Sequence, residues 1–311
     1  MLSKVANRVY WMGRALERAE NIARLLAVYD GLLLDLPPDA ELGPGELLVI
    51  LGVPELTAKA IATAGDRAML HYLVADADNP SSLLASLSRA RENARTSRDV
   101  FPNEAWRAVN ELFLYARERL PRMAARRQRF DEFKAIVSHG QQITGLLSGT
   151  MSHGPAYQFL RMGRNLERAD MTTRVIDVAA AILLSGRPGL ARYDNTLWMA
   201  VLRSLSAYQM YRQYVRRRIV GTDVITFLLH DQEFPRAVRH CLRELRAALT
   251  ALPKHESSEN QLQKVIARLG KVRADALDHA ALHQLIDELQ LDFAALDRAI
   301  RRTWFSPDLA A

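Results

Sequence analysis

The chain has 311 residues, 49% of them hydrophobic, with 42 Lys and Arg against 35 Asp and Glu, a net charge of +7 and one cysteine. The length and apolar content suffice for buried cores in two ordinary domains or one large one, and the lone Cys241 excludes an intramolecular disulfide and points to a reducing compartment. No uncharged apolar run reaches a membrane-spanning length and no apolar stretch with a cleavage site follows Lys4, Arg8 and Arg14, so a cytoplasmic protein without a membrane partner is expected.

Apolar residues recur at three and four spacing almost throughout, and alternating runs rich in Val, Ile and Thr are nearly absent, which predicts an all-α fold. The first long helix is expected from Ser3 to about Leu34, ending before the Pro- and Gly-rich "DLPPDAELGPGE". Further helical periods follow at 55–77, 80–99, 103–125 and 128–148. A cluster of Gly145, Gly149, Gly154 and Pro155 then marks a boundary between two halves, 1–150 and 151–311. The second half begins with a long helix over about 155–185, which stops at "SGRPGL", and helices near 192–219, 234–251 and 257–302 complete the chain. Short connections between long helices predict a helical bundle, either two fused bundles or one continuous domain.

The strongest internal signal is a repeat. "WMGRALERAENIAR" (Trp11 to Arg24) returns as "RMGRNLERADMTTR" (Arg161 to Arg174), and at an offset of 150 the segments 10–28 and 160–178 share nine identities. This predicts an internal duplication of the first long helix. In the first copy Met12, Ala15, Leu16, Ala19, Ala23 and Leu26 gather on one apolar face. Arg14, Glu17, Asn21 and Arg24 form a stripe across the helix from it. Arg164, Glu167, Met171 and Arg174 form the matching stripe, with Arg18, Arg168 and Asp170 beside them. Such a stripe is ordinarily a solvated face held by weak ion pairs. Both copies nevertheless keep a mid-helix glycine, Gly13 and Gly163, which costs roughly 1 kcal/mol relative to Ala. A partner helix or a ligand is therefore expected to approach the backbone there.

If the two long helices pack about a pseudo-twofold axis, Glu17, Glu167 and their arginines meet in one central polar cluster. That cluster can be an interior ion-pair network, a site for a ligand or partner, or a catalytic carboxylate pair. A di-metal site is not expected, because the Glu-x-x-His pairs of helical bundles are missing. "RENARTSR" reads in one of two ways: Glu92 and Arg95 are a third strip of the same cluster or a charged outer face.

At this point the sequence resembles the alpha-E domain family of helical bacterial proteins. Beside both GR-x-LERA copies, the resemblance rests on "ARENARTSRD" (Ala90 to Asp99), Trp106 with Asn110, "WMAVLRSLSAYQMYR" (Trp198 to Arg212) and "FLLHDQEFPRAVRHCL" (Phe227 to Leu242). It implies that Glu17 and Glu167 are the characteristic glutamates, with Arg14, Arg18, Arg24, Arg164, Arg168 and Arg174 the matching arginines. It also implies association with circularly permuted ATP-grasp amide ligases, sometimes in one polypeptide, and hence an accessory or substrate-presenting role in peptide synthesis or tagging. An enzyme using Glu17 and Glu167 for peptide or amide chemistry, and a purely structural interaction module, are the alternatives. One departure is visible after "EFPR", where the family commonly has Ser and this chain has Ala237.

The remaining features read more plainly. Asp231, Glu233 and Arg236 surround Pro235, a suitable first-turn residue for the next helix, and the acidic pair suits helix capping. His279, His283 and Asp287 share a helical face, with an exposed His pair the commoner case and a metal site the rarer. Cys241 reads as a buried structural thiol. No Gly-rich phosphate loop, Walker motif or Gly-x-Ser-x-Gly elbow is present, so no cofactor is expected. The short basic clusters at Arg126, Arg127 and Arg129, at Arg216 to Arg218, and at Arg301 and Arg302 come without any nucleic-acid motif, which makes nucleic acid an unfavoured partner.

Overall fold

A computed structural model describes residues 1–35, 45–122, 126–183, 191–272 and 279–305. Among them the regular structure is helical and contains no strand. The first half comprises α1 (Ser3–Asp35), α2 (Gly45–Ile50), α3 (Glu55–Ala64), α4 (Asp66–Val74), α5 (Leu83–Arg95), α6 (Asn103–Arg119) and α7 (Arg126–Thr150). The second comprises α8 (Pro155–Leu183), α9 (Asp194–Ser204), α10 (Tyr208–Tyr214), α11 (Gly221–His230), α12 (Val238–Thr250), α13 (Glu256–Gly270) and α14 (His279–Trp304). The expected breaks at "DLPPDAELGPGE" and "SGRPGL" fall almost wholly outside the described residues.

Three expected helices are divided. The 55–77 period breaks at Gly65, whose φ of 87° belongs to the left-handed region that glycine enters without steric cost. The 192–219 period breaks at Ser206, a non-glycine residue at φ 53°. The 257–302 period becomes α13 and α14. Helix α11 was not anticipated, because "GTDVITFLLH" is apolar and β-branched rather than clearly periodic. Burial of Val224, Ile225, Phe227, Leu228 and Leu229 stabilises it against that weak propensity.

The architecture centres on α1, whose largest interface is with α8 and which also meets α5, α7, α9 and α14. Enclosed on so many sides, α1 buries its polar stripe as well as its apolar face. Met12, Ala19 and Leu26 are buried, and so are Glu17, Asn21 and Arg24. The solvated-face reading is therefore corrected: neighbouring helices cover the stripe. One hydrophobic core runs from Ala6 to Ile300 and draws on both halves, so the expected boundary near residue 150 lies between two helices of a shared core.

Candidate functional site

The two motif copies meet at their glycines. A Cβ on Gly13 would lie 2.5 Å from the Leu160 carbonyl oxygen and 3.2 Å from the Arg164 nitrogen, and a Cβ on Gly163 would collide with the Tyr10 carbonyl and lie 3.2 Å from the Arg14 nitrogen. Each contact maps onto the other by the same 150-residue offset. The close approach inferred from the glycines is thus a helix crossing with twofold character, in which backbone touches backbone.

On either side of that crossing the carboxylates and guanidiniums are exchanged. Arg18 donates to Glu167 through Nε at 2.6 Å and Nη2 at 3.0 Å, while Arg168 donates to Glu17 through Nε at 3.0 Å and Nη2 at 2.7 Å. Both are bidentate forks, the strongest guanidinium–carboxylate geometry. Arg14 completes the Glu167 set through Nε at 2.8 Å and extends through Nη1 to Asp297 at 2.8 Å, where the Tyr10 hydroxyl also donates at 2.6 Å. The expected single cluster is therefore two, and among the described residues no guanidinium is hydrogen-bonded to both glutamates.

The second cluster departs from the first. Arg164, the counterpart of Arg14, influences Glu17 by its charge, but its buried Nε has no hydrogen-bond partner. Arg236 takes that place, donating through Nη1 to Glu17 and to Asn21 Oδ1 at 3.1 Å, and through Nη2 to Glu20 at 2.7 Å. Glu20 also accepts from Arg24, which in turn donates to the Ser206 hydroxyl.

The electrostatics follow from burial and cation count. Burial opposes ionisation of Glu17, yet the charges of Arg168 and Arg236 outweigh it and hold the carboxyl far below the usual range. Glu167 is likewise lowered, with Arg14 and Arg18 overcoming its burial. Arg24 and Arg164 move the other way: burial lowers both, with Arg236 and Arg168 respectively as the next cause, and Arg24 falls to about 10. Both glutamates are thus held in the ionised form, and both oxygens of each accept from arginine. Neither has the raised pKa that acid–base catalysis uses.

Other predicted site residues lie elsewhere. Asp170 accepts from Arg174 at 2.9 Å one turn along α8, in a partly buried pair away from the crossing. Glu92 and Arg95 pair only with each other among the described contacts, and both are about half exposed. The third-strip reading is corrected, because α5 buries Leu83, Leu87, Ala90 and Ala94 and turns those charges outward. Pro235 precedes α12 by three residues instead of occupying its first turn. Asp231 Oδ1 accepts from the Glu233 and Phe234 amides, so it shapes the turn before that helix. Ala237 is the N-cap of α12 and makes no side-chain cap bond, a position where a hydroxyl is worth about 1 kcal/mol.

His283 lies 2.8 Å from Asp177 and 3.7 Å from Asp287, and the His279 side chain falls outside the described residues. Among the described residues no group of three or more His, Cys, Asp or Glu side chains could hold a metal ion. Cys241 is fully buried, and burial pushes its thiol up to about 12. No described helix is long and apolar enough to cross a membrane.

Three members of the clusters escaped the sequence reading. Glu20 stands inside the repeated motif but aligns with Asp170 and is not one of the nine identities. Arg236 belongs to the distinctive "EFPR" segment, where a capping role for its neighbours masked it. Asp297 carried no signal among the many charges of the last helix.

Residues 1–305 match the Alpha-E family, described as a predicted alpha-helical domain with a conserved ER motif. The chain belongs to this family, and both repeated segments carry an ER dipeptide, Glu17–Arg18 and Glu167–Arg168. Uncharacterized proteins of Mycobacterium bovis and Mycobacterium tuberculosis are 25% identical over 323 aligned residues, covering 96% of this chain and 36% of theirs. The chain thus spans about a third of the length of these relatives. No solved structure matches it.

Proposed function

We propose that this Alpha-E domain is an accessory, substrate-presenting module of an ATP-grasp amide ligase system, with no catalysis of its own. The observation that carries the proposal is how the motif is engaged: Glu17 and Glu167 are buried, and each is held by a bidentate arginine of the opposite helix and by a second arginine. A motif built this way holds a scaffold in register. The relatives' additional length is consistent with a module that works beside other domains. Family association, as read from the sequence, supplies the ligase as the partner. Peptide modification is the chemistry that such a pairing serves.

The test mixes the purified domain with a circularly permuted ATP-grasp ligase from the same cell and follows ATP consumption and amide formation. The domain alone should consume no ATP, and it should raise amide formation by the ligase. A ligase indifferent to the domain overturns the accessory role. Sustained turnover by the domain alone that disappears in Glu167→Gln makes it an enzyme instead.

A further inference from the structure

Beside the Glu17 cluster, α1, α7 and α9 border a cleft of about 1090 Å³. Its lining includes the cations Arg24, Arg127, Lys134 and Arg203, of which Arg24 is buried and the other three are exposed. The single carboxylate in the lining, Asp30, is already clamped by Arg129 through donors at 2.9 and 3.2 Å. Phe130, Val137 and Met199 add apolar wall. The cleft is therefore strongly cationic, with an apolar component that a small inorganic ion could not use.

Arg24 is the distinctive group. It shares the carboxylate it is bonded to, Glu20, with Arg236, and among the described residues its buried Nε has no hydrogen-bond partner. Four guanidiniums of this cluster, Arg24, Arg164, Arg168 and Arg236, face two carboxylates, Glu17 and Glu20. A buried surplus of positive charge is costly unless something compensates it. Ser206, whose hydroxyl accepts from Arg24, lines the same cleft and holds a left-handed backbone at φ 53°. Such strain in a non-glycine residue persists where the surroundings enforce it, and it concentrates at binding sites.

We propose that this cleft binds an anionic ligand with an apolar portion, its oxyanion directed to Arg24 and Ser206 and its remaining negative charge to Arg127, Lys134 and Arg203. Guanidiniums recognise carboxylates and phosphates alike. The volume and the apolar wall favour a carboxylate-bearing peptide over a compact phosphate. The site stands independently of the ligase reading, since it is tested by binding to the domain alone.

The experiment is calorimetric titration of the full chain with a short glutamate-rich peptide, and in parallel with inorganic phosphate and ADP. Saturable peptide binding is expected, weakening with added salt as screening grows. In the double variant Lys134→Gln, Arg203→Gln the affinity should fall about tenfold, as loss of two charged contacts at a partly exposed site implies. Both side chains are exposed, so the fold should survive, and unchanged circular dichroism checks this. A control double variant, Arg216→Gln, Arg218→Gln, removes equal charge outside the cleft lining and should bind as the parent does. Phosphate or ADP binding that depends on Lys134 and Arg203, without peptide binding, supports the anion site and assigns it to a phosphate compound. Absence of saturable binding by all three probes overturns the proposal, as does an equal loss in the control variant.

Discussion

Glu17 and Glu167 hold equivalent places in two copies of one motif, and each receives a bidentate arginine from the other copy. Their surroundings then diverge. Around Glu167, Arg14 and Arg18 are balanced by Glu167 and Asp297, and Arg89 stands further out, bonded to the Pro80 carbonyl. Around Glu17, four arginines meet two glutamates, and the second carboxylate that Arg236 reaches, Glu20, is shared with Arg24. The difference teaches that identical helical faces acquire different electrostatics from what is packed over them. α14 brings a carboxylate to one cluster, and the turn before α12 brings another cation to the other.

The largest expected effect tests that asymmetry directly. Glu17→Gln leaves Arg168 buried without its paired carboxylate and Arg236 with only Glu20, which it shares with Arg24, and breaking a buried pair in this way typically costs about 3–5 kcal/mol. Glu167→Gln should cost less, roughly 2–3 kcal/mol, because Arg14 keeps Asp297 and Arg18 is 25% exposed to water. Urea unfolding of both variants measures the ordering, and equal losses would erase the distinction between the clusters.

The glycines should behave alike where the charges do not. Gly13→Ala and Gly163→Ala each force a methyl into the opposing backbone, and overpacking of this kind costs about 1–3 kcal/mol or more. Comparable shifts in the unfolding midpoint would separate a symmetric crossing from its asymmetric charge shell. A tolerated alanine at either position would mean that the helices can move apart.

Acid titration gives a further contrast. Both carboxyls are depressed in the folded state, so their contribution is present above the unfolded value of about 4.3 and is lost as pH falls through the folded values. Stability measured from pH 5 downward should therefore decline steeply in the parent and more shallowly in Glu17→Gln. An unchanged slope would mean that Glu17 does not titrate with unfolding.

Arg164→Met should have a smaller effect still. It removes a cation with an unbonded buried Nε from the cation-rich cluster, and replacing poorly compensated buried charge by an apolar side chain is often neutral or stabilising, here within about 1 kcal/mol. The equivalent change Arg14→Met, which breaks two ion pairs, should destabilise clearly by the same measurement.

The smallest effect belongs to His283, outside both clusters. A hydrogen bond with Asp177 raises its pKa. The stabilisation is fully present below the unfolded value of about 6.5 and lost as pH rises through the raised folded value. Asp177→Asn should remove a slight fall in melting temperature between pH 6 and pH 8.

The helical class was legible because apolar spacing is a local property, and the crossing was legible because Gly13 and Gly163 accept a helix penalty that only a close neighbour explains. The exchanged pairs were half visible. The repeat put Glu17 and Glu167 on equivalent faces but could not show that the arginines would cross over instead of converging on one centre. Periodicity also says which residues share a face without saying what covers it, which is why the stripe on α1 read as either a solvated face or a central cluster, and Glu92 as either a third strip or an outer face. Arg236 and Asp297 stand 219 and 283 residues from the partners they serve on α1. No pattern along the chain connects such distant residues. The cleft was equally hidden, since it depends on three helices drawn from both halves.

The exchange of arginines across the Gly13–Gly163 crossing has one more consequence. Each copy of the motif carries both the donor fork and the acceptor that its opposite requires, so the surface is complementary to itself. That is the defining property of an isologous dimer interface, here enclosed within a single polypeptide. A charge reversed on one helix therefore has its natural remedy on the other, 151 residues from Glu17 and 149 from Glu167. An α1 segment released from its own α8 also presents every group needed to recognise the α8 of another molecule, so the contact that fixes this fold is equally a contact through which two chains can trade helices.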